Sequence, residues 1–365
     1  MGCLISKIQK VAKKTLCRLK NYVRNQKHVV ITNIFDYNNI ILSRPDCDRK
    51  VLGSGRFYGL NFILKRYSGY TKTIGAHSEH APGLDIIEAS DWQASGKKAF
   101  IVCAKQRRLF LAKRLDCPIF PIGPSIHYAN TIYSDFDYKV INDALGKTLL
   151  VYPMHDIEDF HYKDKTLEFI KYVKNIKEMH GFETVIVSMY FTDIERGLHF
   201  KYLKEGWLIV SAGRRENYDF NDCMKTIIKL ADYAIIEGYT SALGYCIYLG
   251  VPVTIYHKDF DFIERGKENI IQTDNGMIPE TISKFEKIFS DYDETISKEK
   301  YDFCNYWYGY EDVLKKEDLY LLFDYISKIN NRMGYEKKMK IAKEKKYRAI
   351  QAYLIDCLRR PANEV

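Results

Sequence analysis

Residues 231–256 read ADYAIIEGYTSALGYCIYLGVPVTIY, and this stretch decides the fold. Tyr233–Ile236 is a short apolar run without alternation, which predicts a strand buried on both faces, as in a parallel sheet covered by helices. Gly238 follows, then Thr240 and Ser241, hydroxyl residues of the kind that open helices. Ser241–Leu249 reads as a buried helix, Gly250 ends it, and Val251–Tyr256 returns as a second strand. Strand, helix, strand without room for a hairpin is a parallel crossover.

The same alternation extends towards the N-terminus. Strands are predicted at Thr148–Tyr152, Thr184–Ser188 and Trp207–Ser211, separated by helices at Lys165–Met179, Asp193–Lys204 and Asn221–Ala231. Further back, strands are expected at Lys27–Ile34, Lys50–Leu52, Thr71–Ala76, Ala99–Cys103 and Ile119–Ile122, with helices at Arg56–Tyr67 and Lys105–Leu115. The turn-rich Gly123-Pro124-Ser125 and the polar segment up to Gly146 read as a hinge. A chain of 365 residues has the length of two domains. The expectation is an α/β protein of two Rossmann-like, doubly wound domains facing a cleft. Its parts are a basic arm at 1–26, a first domain at 27–146, a second at 147–300, and helices at 301–365 that return to the first.

Composition narrows the class. Hydrophobic residues at 46% and charged residues at 28% are ordinary for a globular chain. Nine cysteines, odd in number and never spaced C-x-x-C, point to reduced thiols and no metal site. No apolar run reaches the roughly 18 residues of a membrane span, and no secretory signal pattern is present, so a cytoplasmic location is expected. The net charge of +9 sits at the ends. No acidic residue precedes Asp36, while Lys7, Lys10, Lys13, Lys14, Arg18, Lys20 and Arg24 flank an apolar stripe of Leu4, Ile8, Val11, Leu16, Leu19 and Val23. Lys337–Arg348 repeats that pattern near the other end, and Glu317–Asn330 reads as a helix. Two basic amphipathic helices predict a peripheral protein on the anionic inner face of the cell membrane.

In parallel sheets ligands bind beyond the carboxyl ends of strands, so those loops hold the candidate site. Thr240 and Ser241, with the first backbone N–H groups of their helix, form an anion site, and Gly238 allows close approach. Glu237 is placed to take a ribose or sugar hydroxyl. The loop Pro153-Met154-His155 and the loop Gly213-Arg214-Arg215 end neighbouring strands and supply His155, Gly213 and Arg214 for the same phosphate. In the first half, His77-Ser78-Glu79-His80 brings two histidines and a carboxylate to the cleft, the groups needed to take a proton from an acceptor hydroxyl.

The stretch from Thr148 to Tyr256, with the Thr240-Ser241 pair opening a helix and Gly250-Val251-Pro252-Val253 after it, resembles the donor-binding half of GT-B glycosyltransferases of bacterial surface-polysaccharide type. It is also similar in pattern to teichoic-acid glycerophosphotransferases. The resemblance implies a metal-independent transferase without a cofactor, which takes a nucleotide-sugar as co-substrate and a glycan or lipid-linked glycan as acceptor, as in capsule or O-antigen synthesis. It implies donor phosphate at Thr240 and Ser241 and a base among His77, Glu79 and His80. The related family carries a His-Gly loop there; this chain has Ala81-Pro82-Gly83 after His80. The alternatives are a CDP-polyol phosphotransferase and a non-catalytic membrane or nucleic-acid binding protein. A zinc deaminase fails for want of P-C-x-x-C. The glycines of Gly53-Ser54-Gly55-Arg56-Phe57-Tyr58-Gly59 are misplaced by one residue for a dinucleotide fingerprint. No basic-aromatic stripe in the folded middle supports nucleic acid as a partner.

Overall fold

The computed structural model describes residues 31–43, 54–79, 82, 99–112, 115, 117–155, 160–162, 165–256, 262–264, 270–271 and 279–336. The basic arm at 1–26, the strand expected at Lys50–Leu52, and everything after Glu336 lie outside the described residues, as does His80.

Three sheets are present among the described residues. The first is parallel, in the order β1 (His77–Ser78), β2 (Phe100–Val102), β3 (Ile119–Pro121). The second is parallel and five-stranded, built from β4 (Thr148–Tyr152), β6 (Thr184–Ser188), β7 (Leu208–Val210), β8 (Tyr233–Glu237) and β9 (Val253–Tyr256) in the order β7-β6-β4-β8-β9. The third is a small antiparallel ribbon of β5 (Phe160–Tyr162), β10 (Phe262–Glu264) and β11 (Ile270–Ile271). The helices in chain order are α1 (Tyr37–Leu42), α2 (Leu60–Ser68), α3 (Lys105–Ala112), α4 (Asp135–Leu145), α5 (Thr166–His180), α6 (Phe191–Glu195), α7 (His199–Leu203), α8 (Phe220–Ile228), α9 (Ser241–Tyr248), α10 (Pro279–Phe289), α11 (Lys298–Tyr308) and α12 (Lys316–Glu336). The chain is therefore α/β, with a Rossmann-like strand order in its second half.

The apolar runs explain the five-stranded sheet. Leu149 and Val151 of β4 pack with Phe169, Ile170 and Val173 of α5 on one face, while Leu150 and Tyr152 join Ile227 of α8 and Leu243 of α9 on the other. Each fully buried Ile, Leu or Val contributes about 1.5–3 kcal/mol, which is why these strands carry no polar face. The core on the α8–α9 side continues without a break into the first sheet, through Ala99, Ile101 and Ile122, and on to Leu319, Phe323 and Ile326 of α12.

Several elements differ from the sequence expectation. Residues 31–34 form no strand; Ile31 and Ile34 are buried singly beside a turn. Thr71–Ala76 is not a strand either, although Tyr70, Ile74 and Ala76 alternate into the core; the sheet ladder begins only at His77, opposite the short β2. The single helix expected at Asp193–Lys204 is two short helices, α6 and α7, broken at Gly197 with φ +81°. The segment read as a hinge is tied along α8. Asn130 N–H donates to Asp222 at 2.8 Å, Ile132 N–H to Thr226 at 2.9 Å, and the Lys225 ammonium to the Ala129 carbonyl at 2.6 Å.

Candidate functional site

The order β7-β6-β4-β8-β9 reverses direction between β4 and β8, and that is the switch point where ligands bind in open parallel sheets. Two loops meet there. After β4 come Pro153, Met154 and His155; after β8 come Gly238, Tyr239, Thr240 and Ser241. Gly238 has φ +80°, a backbone turn that a side chain would strain. Thr240 is the N-cap of α9, its hydroxyl accepting from Ala242 N–H at 3.3 Å. Thr240 and Ser241 are half-buried.

Glu237 closes the seam between the loops. Its carboxylate is buried and accepts the Met154 N–H at 3.0 Å. Its observed work is thus to hold the β4 loop against the β8 loop. His155 lies against the ring of Tyr190 at 4.7 Å, and burial pushes its imidazole down to about 4. It is neutral at physiological pH and offers an anion a single N–H dipole rather than a charge.

Gly213 and Arg214 stand elsewhere. They follow β7, at the far edge of the sheet, three strands from β8 and so roughly 14 Å away by strand spacing. The Arg214 guanidinium donates to the Ile41 carbonyl at 2.8 Å, forms an ion pair with Glu195, and covers the Phe191 ring at 4.1 Å. Gly213 packs against Ile40 and Asn217. The structure brings His155, Glu237, Gly238, Thr240 and Ser241 together and places Gly213 and Arg214 beside α1 and α6.

The residues at the carboxyl edge of the first sheet pack against α9 and α11. His77 is buried on β1 with its ring 5.2 Å from Phe100. Glu79 forms a buried ion pair with Arg107 and accepts Cys103 N–H at 3.1 Å. From β3, Ser125 meets the Tyr245 hydroxyl of α9 at 2.8 Å, and Cys103 donates its Sγ–H to the Trp307 carbonyl at 3.4 Å. Tyr308, at the end of α11, donates to the Thr240 carbonyl at 3.4 Å. The carboxyl end of the first sheet thus contacts α9 and α11, and α11 in turn contacts the turn that opens α9.

Three further positions stand out in the structure. Tyr58 is the only described non-glycine residue with positive φ, at 58°. Its N–H donates to the Arg215 carbonyl and its carbonyl accepts from Asn221 at 2.6 Å, which clamps the 54–59 turn onto the start of α8. At Gly59, φ is +65° and a Cβ would meet the Tyr218 carbonyl, so only glycine fits this approach. Asp193 on α6 is 3% exposed, its Oδ1 has no hydrogen-bond partner, and burial raises its carboxyl to about 7. A lone Asp in a helical run looks like surface; only the tertiary burial of α6 distinguishes it.

Among the described residues no cluster of three His, Cys, Asp or Glu side chains is placed to hold a metal ion, and no helix is long and apolar enough to cross a membrane. No known protein family matches the chain, and no curated protein matches it.

Proposed function

We propose that the chain is a GT-B glycosyltransferase that binds a nucleotide-sugar at the carboxyl edge of its five-stranded sheet and transfers the sugar to a glycan or lipid-linked glycan acceptor. The observation that carries this reading is the switch point between β4 and β8, with Gly238 and the Thr240-capped start of α9 beside it. A helix start carries about half a positive charge and spare N–H donors, which suits a departing diphosphate. Two parallel sheets, with the carboxyl end of the first packed on the helix that opens at the switch point of the second, support the GT-B form of the reading. In this scheme His155 contributes a neutral N–H, Glu79 is held by Arg107 as a positioning group, and His77 or His80 takes the acceptor proton.

Thermal-shift measurements with UDP-, GDP-, CDP- and CMP-linked donors, beside NAD and single-stranded nucleic acid, test it. At a hundredfold excess over Kd, a donor that binds only the folded chain adds about 2.7 kcal/mol of stability. One donor class is expected to raise the melting temperature by several degrees, and Ser241→Ala to abolish most of that rise. Stabilisation only by NAD or by nucleic acid overturns the reading.

A further inference from the structure

Gly244 lies inside α9, where glycine weakens a helix relative to alanine. The ring of Tyr308, at the end of α11, accounts for it: a Cβ at Gly244 would stand 2.5 Å from that ring. The close approach brings the Tyr308 hydroxyl to the Thr240 carbonyl, 3.4 Å away, at the turn that opens α9 beside the β4–β8 switch point. The same carbonyl accepts Leu243 N–H at 3.3 Å. Tyr308 is buried, and burial holds its phenol far above the usual range, so it stays protonated and donates. The residues on either side of Tyr308 are fixed to the end of β2. The Trp307 carbonyl accepts the Cys103 Sγ–H at 3.4 Å, and a Cβ at Gly309 would stand 2.5 Å from the Cys103 carbonyl.

The Thr240 carbonyl and the Ser241 N–H belong to one planar trans peptide and point in opposite directions. A carbonyl drawn towards the helix by Leu243 and Tyr308 therefore turns the Ser241 N–H outward, past the helix start. That N–H is among the first donors of α9, for which the helix itself has no carbonyl. A hydrogen bond accepted at the carbonyl also polarises the peptide and strengthens the donor at its other end. We propose that Tyr308 is a positioning residue for the candidate site, which aims and strengthens the Ser241 N–H for the diphosphate of the donor. Its role rests on the phosphate reading of this turn given above. The residue that orients the phosphate donor is thus carried by a segment seated on the first sheet.

Tyr310 supplies the control. Its hydroxyl donates to the Gly244 carbonyl at 2.5 Å, the same kind of bond one turn deeper, but the N–H across that peptide, at Tyr245, is used by the helix ladder itself. The test is isothermal titration of the full-length protein with inorganic pyrophosphate, for wild type, Tyr308→Phe, Tyr310→Phe and Gly244→Ala. Tyr308→Phe keeps the ring and should weaken pyrophosphate binding about threefold to tenfold, the range that one neutral hydrogen bond supplies. Gly244→Ala, which displaces the ring, should weaken it at least as much. Tyr310→Phe also gives up a buried hydrogen bond to α9, yet should stay within about twofold of wild type, which separates aim at the ligand from support of the helix. Absence of pyrophosphate binding in wild type defeats the phosphate reading of the turn and the role of Tyr308 with it. Binding in wild type that Tyr308→Phe or Gly244→Ala leaves within about twofold, or that Tyr310→Phe weakens as far as Tyr308→Phe does, defeats the role of Tyr308 alone.

Discussion

Asp193 and His155 are both displaced by burial, in opposite directions, and their signs set how stability follows pH. The folded Asp193 carboxyl titrates at about 7 against a usual 3.8. Between those values the folded chain keeps a proton that the unfolded chain has released, so stability falls as pH rises through that window. The folded His155 titrates at about 4 against a usual 6.5, so the unfolded chain takes the extra proton and stability rises with pH from about 4 to 6.5. The two slopes oppose each other in acid. Asp193→Asn removes one of them. It should raise stability at pH 8 by about 1–2 kcal/mol, less than the full shift because the amide is buried without partners too. Melting curves from pH 4 to 8 should show that gain shrink towards zero at the acid end; an equal gain at every pH means that Asp193 is not held neutral.

At the scale of elements, α8 is the joint between the halves. Arg66 of α2 grips Asp222 with both nitrogens, at 2.6 and 2.7 Å, and the same carboxylate accepts Asn130 N–H. Asp222 is buried and the Arg66 side chain 30% exposed, so the guanidinium keeps part of its hydration when the pair breaks. Asp222→Ala should therefore cost about 2–3 kcal/mol, towards the low end for a buried pair. Denaturant unfolding of Arg66→Ala, Asp222→Ala and the double variant should give a coupling of about 1–3 kcal/mol; strict additivity would show that the fork contributes no pairwise energy. The hydroxyl and carboxylate pattern of α8 gave no hint of this role, because its partners lie in sequence far away.

For the whole molecule, legibility followed the range of the forces. Thr148–Tyr152 and Thr184–Ser188 were readable to the residue, since a strand buried on both faces must be apolar throughout. Thr240 as a helix cap was readable because capping is local. The expected meeting of Arg214 with Thr240 was not, because strand order depends on packing of whole crossovers, and β7 ends at the far edge. The ribbon escaped as well: strands of two or three residues are too short for any periodicity. The proposed membrane attachment concerns 1–26 and 337–358, beyond the described residues. Co-sedimentation with vesicles containing anionic lipid at about 0.15 M salt should capture the full chain, and removal of 1–26 should lower the bound fraction severalfold. Equal recovery of both proteins in the supernatant would end that proposal.

The way the first sheet is closed sets an order of events during synthesis. Cys103, at the carboxyl end of β2, is sealed by the Trp307 carbonyl 204 residues downstream, and Tyr70 packs on Phe323. The five-stranded sheet, by contrast, is contiguous from β4 to β9 and needs nothing after Tyr256 to pair its strands. A ribosome making about 5–20 residues each second thus leaves the first half unsealed for about 3–10 s after the second half is already able to collapse. The part translated first is the part finished last, and in the interval its strand edges are unsealed.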